Sequence, residues 1–301
     1  MERRDVFTWS VAALSAVASD KASAAPPSVR PDARQTDPLP APARGMIDVA
    51  FVLAPGAEVV DFAGPWGVFE YASVADREDS PFRLFTVAES KAAIQVSGGL
   101  TVVPDHAFAQ APEPRVIVVP ALRDDPSPAM LTWLRQHAQT VDLTMSVCNG
   151  AFVLAKAGLL DGKPATTHHS AFALLYADFP KVKVQRGARF VNAGKVSTSG
   201  GLTSGIDLAL NVVERYFGRR AAEETASKLE YQGQGWKDAS SNRAYAKRPV
   251  STALRPICPV CESALDKTSI VKLSYRGRTV LFCSDWCKSR FEASPERFVL
   301  G

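Results

Sequence analysis

Residues 141–169, VDLTMSVCNGAFVLAKAGLLDGKPATTHH, constrain the fold more than any other stretch. Residues 141–147 are an apolar run of strand length. Cys148 follows without a spacer. From Asn149 the apolar residues fall at Phe152, Val153, Leu154, Ala157 and Leu160, a helical period. Strand, cysteine and helix in immediate succession put the sulfur at the carboxyl edge of a sheet. The amino terminus of the following helix favours a thiolate and lowers its pKa. Hydrolases display a serine on the same kind of elbow. The competing reading is a buried cysteine acting as a small hydrophobe.

The rest of the chain fits around this unit. Strands are expected at 47–53, 84–88, 116–119, 165–167, 182–184 and 196–199, and helices at 129–138, 171–176, 204–216 and 220–231. A further loop runs into a helix through AEVVDFAGPWGVFEYA, where Pro65 suits a first helical turn. Residues 94–103 alternate around Gly98-Gly99 and read as a hairpin. The near-continuous apolar run at 47–53 suits a strand covered on both faces. Alternating strands and helices imply an α/β fold, a three-layer sandwich with a mostly parallel sheet. Its site is expected at the carboxyl ends of the strands.

Two ends flank this domain of residues 46–231. Residues 1–24 read as a twin-arginine export signal: Arg3-Arg4, an apolar stretch over 7–18, then Ala22-Ser23-Ala24 as a cleavage pattern. That stretch is too short for a membrane anchor, so the mature chain is expected in the periplasm. Residues 25–45 carry six prolines and read as a stiff linker. Residues 232–256 are polar and read as a linker or wrapping segment. The formal charge of +4 argues against a nucleic-acid partner, which would need a concentrated basic face.

Four of the five cysteines lie in residues 257–301. Cys258 and Cys261 form Cys-x-x-Cys; Cys283 and Cys287 form Cys-x-x-x-Cys at a helix start, after two strands at 270–274 and 279–282. Phe291 and Phe298 offer only a very small core, and a segment this short rarely folds on burial alone. Four thiolates around one tetrahedral ion would supply the missing stability, in a treble-clef or zinc-ribbon-like module. Zinc is the default; Cu(I) also suits an all-sulfur site. Two disulfides are the alternative in an oxidising compartment.

Two resemblances have residues behind them. VVDFAGPWGVFE, VCNGAFVLAKAGLLDGKPATTHH and VSTSGGLTSGIDLALNVVER, in that order, resemble the ThiJ/PfpI superfamily of the class I glutamine amidotransferase-like fold. The branch they resemble is that of isonitrile hydratase and the amino-terminal domain of GlxA-type regulators. The Cys261…Cys283-x-x-x-Cys287 spacing resembles the TRASH/YHS metal-binding modules. The first resemblance implies a flavodoxin-like sheet, Cys148 as nucleophile, Asp61 as its acidic partner, His168 as a histidine near the cysteine, and a homodimer. Asn149 stands where the hydratase has threonine, and Ala121-Leu122 stand where the superfamily often has Gly-Gly.

The chemistry expected is thiolate attack by Cys148 on a small electrophilic carbon such as that of an isocyanide. Asp61, partly buried and raised in pKa, would donate a proton to the developing nitrogen, and the Asn149 N–H would hold negative charge. Asp61 could equally cap its helix, Asn149 likewise, and His168 and His169 could be a polar strand end satisfied by the backbone. Phe62 and Trp66 could line a pocket or belong to the core. The alternative function on the same fold is a non-catalytic binding or sensor protein for metal or redox stress. A transcription regulator is disfavoured, since no helix-turn-helix follows the domain.

Overall fold

The computed structural model describes residues 37–75, 77, 79–266 and 270–298. The export signal over 1–24 and most of the proline-rich linker lie outside the described residues. The first described residues are packed rather than free: Leu39 is buried and donates to Arg215 O at 2.8 Å, and the Arg215 guanidinium donates to Asp37 O at 2.9 Å. The linker expected over 25–45 therefore ends in a short strap against the domain.

In chain order the elements are β1 (Ile47–Val52), α1 (Val59–Glu70), β2 (Phe82–Ala88), a small hairpin of β3 (Ile94–Gln95) and β4 (Thr101–Val102), then β5 (His106–Ala107) and β6 (Val116–Val119). There follow α2 (Pro128–His137), β7 (Leu143–Ser146), α3 (Gly150–Lys156), β8 (Pro164–Ala165), α4 (Phe172–Asp178), β9 (Lys183–Val184), β10 (Phe190–Ala193) and β11 (Val196–Ser199). α5 (Ser204–Phe217) and α6 (Arg219–Lys228) close the domain; β12 (Val271–Tyr275), β13 (Arg278–Phe282) and α7 (Asp285–Ala293) form the terminal module. β5 is only two residues long and β10 is interrupted by Asn192, so neither stands out in the sequence. Pro65 sits in the interior of α1, not in its first turn.

The main sheet has the order β10-β11-β7-β6-β1-β2-β5. Every pairing is parallel except β10 with β11. The alternation of side chains on β1 shows the three layers. Ile47, Val49 and Phe51 face a core built with α1, α5 and α6, while Ala50 and Val52 face the opposite core with α2 and α3. The chain reverses direction across the sheet between β1 and β6, and the loops at their carboxyl ends open a crevice there.

Residues 232–246 wrap the domain rather than hang between two units. Trp236 is buried, Ala239 O accepts from Arg189 N–H at 2.7 Å, and Arg186 Nε donates to Ala246 O at 3.1 Å. The terminal module has its own core of Phe282, Phe291 and Phe298 around the cysteines, and Ala177 of α4 is buried in the same cluster. Among the described residues no helix is long and apolar enough to cross a membrane.

Candidate active site and cysteine centre

β7 ends at Ser146 and α3 begins at Gly150, so Cys148 falls in the turn between them. Its φ is +56°, a left-handed backbone that non-glycine residues rarely adopt and that is maintained only by the surroundings. Three contacts hold it. The Cys148 N–H donates to Gly200 O at 2.9 Å, and the Thr167 hydroxyl donates to Cys148 O at 2.9 Å. Gly150 lets the elbow lie against β6: a Cβ there would stand 2.2 Å from Val119 O.

Asp61 sits in the first turn of α1 with no solvent exposure. It does not cap that helix. Oδ2 accepts from the Ala121 N–H at 3.0 Å, across the crevice from the end of β6. Oδ1 has no donor in hydrogen-bond geometry, although the Cys148 thiol and the Leu202 N–H lie near enough to pull the carboxyl pKa down. Burial outweighs them and raises Asp61 to about 7.

The Cys148 thiol does not follow the helix-terminus argument. Burial, then the charge of Asp61, pushes it up to about 12, against the smaller lowering by the N–H groups of Asn149 and Leu202. α3 is short and its dipole acts on a sulfur already shielded from water, so desolvation wins. The backbone N–H groups of Asn149 and Leu202 nevertheless lie near enough to the sulfur to pull its pKa down, Leu202 from a second strained turn at φ +49°. Nothing in the side chain of Leu202 signals this; the neighbouring Gly200-Gly201 was the only trace.

Above the sulfur is a cleft of about 410 Å³. Glu58, Ser97, Leu122, Arg123, His168 and Ser170 line it with Cys148 and Asn149. Glu58 accepts from the Ser97 hydroxyl at 3.0 Å, which fixes one wall. The Asn149 side chain does not cap α3; its Oδ1 accepts from the Thr167 hydroxyl at 3.2 Å. His168 shares the cleft but is not hydrogen-bonded to Cys148. Its Nδ1 pairs with the Ser170 hydroxyl at 2.8 Å, its ring lies tilted at 4.3 Å from that of His169, and burial lowers its pKa. Phe62 and Trp66 belong to the core, Trp66 against Phe51.

The second centre gathers Cys258, Cys261, Cys283 and Cys287, whose sulfurs all lie within 4.8 Å of one another. Sγ of Cys261 and Cys283 are 3.3 Å apart, and those of Cys283 and Cys287 3.5 Å, beyond the roughly 2.05 Å of a disulfide. A tetrahedral ion with bonds of about 2.3 Å needs sulfurs about 3.8 Å apart, so the set fits such an ion. Thiols this close share protons. Hydrogen bonds with Cys258 and Cys287 pull the Cys261 pKa down, while those with Cys258 and Cys261 push Cys287 up. Ser284 caps α7 by accepting from the Cys287 N–H at 3.3 Å and so aims the last ligand.

Comparison with known proteins agrees with this geometry. Residues 48–215 match the DJ-1/PfpI family and residues 257–300 match the YHS domain. The isonitrile hydratase of Pseudomonas putida is 32% identical over 191 residues, covering 62% of this chain and 78% of that protein. The HTH-type transcriptional regulator CdhR of Pseudomonas aeruginosa is 27% identical, and the match spans 54% of its length and 60% of this chain. A ThiJ/PfpI family crystal structure from Pseudomonas syringae superposes with a TM-score of 0.57 at 24% identity, over 75% of this chain and 98% of that one. Drosophila melanogaster DJ-1beta gives 0.54 at 23%, over 62% and 98%. These two likenesses speak for the flavodoxin-like fold alone. With more than half its length matched by the family and a hydratase relative at this identity, the chain belongs to the DJ-1/PfpI family and carries a YHS domain with a four-cysteine cluster at its carboxyl end.

Proposed function

We propose that this protein is an exported, cysteine-dependent enzyme that hydrates a small electrophilic carbon compound such as an isocyanide, with a soft metal ion, zinc by default, held by Cys258, Cys261, Cys283 and Cys287. The observation that carries the reading is the buried Asp61 carboxyl, raised to about 7, set against the Cys148 thiol beneath a small-molecule cleft. The ion's part is structural: four thiolates close the coordination sphere and leave no open position for substrate. The twin-arginine pattern of residues 1–24 supports export.

The steps balance as follows. Asp61 takes the thiol proton and passes it to the isocyanide carbon, which carries the lone pair; the sulfur bonds to that same carbon. The product is a thioimidate. Water then adds to the carbon, the nitrogen takes a proton, the C–S bond breaks and the thiol regains its proton. The net change is isocyanide plus water to N-substituted formamide. The N–H groups of Asn149 and Leu202 hold the charge on sulfur as it forms and departs.

The test is formamide production from aliphatic and aromatic isocyanides. Cys148→Ala should abolish it and Asp61→Asn should slow it about a hundredfold or more. Absence of any cysteine-dependent product would sink the hydratase reading. A second reading, a non-catalytic metal or redox sensor, is favoured by Ala121-Leu122 in the site loop and by the four clustered thiols. One metal per chain, lost when Cys283 and Cys287 are replaced, with no turnover, would select it.

A further inference from the structure

The YHS domain and the Cys148 cleft are joined by one short helix. α4 follows directly from His168-His169-Ser170, and His168 and Ser170 line the cleft. The other end of α4 belongs to the cysteine module. Ala177 is buried in the cluster that contains Cys258, Cys261 and Cys287, with Leu174 and Tyr176 packed against it. Arg290 of α7 pairs with Asp178 at 2.9 Å, and Arg297 donates to Tyr176 O.

Arg186 pins the junction. Its guanidinium lies 5.1 Å from the ring of Phe172, the first residue of α4. Two of its nitrogens pair with Glu262 at 3.2 and 2.8 Å, and Nε donates to Ala246 O. Glu262 is the residue after Cys261 and sits in the knuckle at φ +61°, its N–H donating to Cys258 O at 2.9 Å. Beside Ala246, Tyr245 stacks on His169 at 4.4 Å, and the His169 ring contacts that of His168 at a tilt. An unbroken run of contacts therefore leads from Cys261 through Glu262, Arg186 and α4 to the cleft wall.

We infer that the metal status of the four-cysteine centre sets the shape of the Cys148 cleft through α4 and Arg186. The two states differ in what covers α4. Metal binding to a module this small is folding of that module. With the ion held, the module covers the outer face of α4 and Glu262 holds Arg186. Without it, the knuckle loosens, the outer face of α4 is uncovered, and the wall carrying His168 and Ser170 is released. Both sites bias one equilibrium. The regulation rests on the Cys148 cleft being the working site, but its test needs no turnover.

The experiment uses the full chain, zinc-loaded or stripped with a chelator, and reads two signals by mass spectrometry. One is hydrogen exchange over 172–178, with β1 as the internal control for global unfolding. The other is the rate of iodoacetamide labelling on the Cys148 peptide. Metal withdrawal should speed exchange in α4 at least tenfold and Cys148 labelling at least threefold, with β1 unchanged. Zinc-loaded Arg186→Gln, which keeps all four thiols, should bind one zinc per chain and yet label Cys148 faster than the zinc-loaded wild type. Labelling at the zinc-loaded rate after metal withdrawal overturns the inference, and so does wild-type labelling in zinc-loaded Arg186→Gln. If β1 also opens on stripping, the zinc-loaded variant alone decides. A protein that passes this test and makes no formamide would lose the hydratase reading and keep the coupling.

Discussion

Replacing Asp61 by asparagine should make the protein more stable at pH 8 while disabling its chemistry. In the folded chain the carboxyl titrates at about 7 against 3.8 for a free side chain. Roughly three pK units at about 1.4 kcal/mol each make the fully ionised carboxylate cost about 4 kcal/mol of stability. The sign follows from proton counting. The folded state keeps a proton that the unfolded chain releases between about pH 4 and 7, so this group's contribution is full below 4 and lost as pH rises through 7. Asparagine never pays it. The amide oxygen still accepts from the Ala121 N–H, but the amide NH₂ takes the place of Oδ1 beside the Leu202 N–H, a donor facing a donor, at about 1–2 kcal/mol. The net gain at pH 8 is about 2–3 kcal/mol. Between pH 8 and pH 5 the wild type recovers about 2.5 kcal/mol from this carboxyl, and the variant recovers none. Urea unfolding of both proteins at the two pH values measures this, because titrating groups not coupled to Asp61 cancel in the difference. A stability difference that stays constant within about 0.5 kcal/mol between pH 5 and 8 would refute the burial argument.

The same substitution should raise the alkylation rate of Cys148 at pH 8, because the charge of Asp61 is the second-largest cause holding the thiol up after burial; a slower rate in iodoacetamide kinetics would mean that the carboxylate activates the sulfur at rest. Gly150→Ala should destabilise by more than about 3 kcal/mol or prevent folding, since its Cβ would lie 2.2 Å from Val119 O with backbone on both sides. Denaturant unfolding within about 1 kcal/mol of wild type would show that the elbow can back away from β6.

The layers of the fold were legible because their signals are local. β6, an all-apolar strand, was read to its residue bounds and α2 to within one residue at each end. The Ser127 hydroxyl caps α2, accepting from the Met130 N–H, a start signal left unused in the sequence. β5 and β10 were missed for a tertiary reason. β5 has only two paired residues, and β10 is antiparallel, carries Asn192 and owes its place to pairing with β11. The wrapping of 232–246 was one of two readings, and the sequence alone did not choose between them. Its anchors are backbone carbonyls and one buried Trp236, and no periodicity records a carbonyl's partner.

The site was half legible for the same reason. Side-chain chemistry pointed to Cys148 and Asp61, but the donors that serve them are backbone N–H groups of Ala121, Asn149 and Leu202, which any residue could supply. The expectation of a depressed thiol pKa failed through burial. That failure does not count against nucleophilic chemistry. A pKa of about 12 measures the loss of the proton to water, which leaves two buried anions side by side. Transfer from sulfur to Asp61 leaves one anion before and one after, so neither the burial of an added charge nor the repulsion by Asp61 that raises the thiol is incurred. The pair is therefore suited to a substrate that accepts sulfur and proton at the same carbon, and poorly suited to one that needs a standing thiolate.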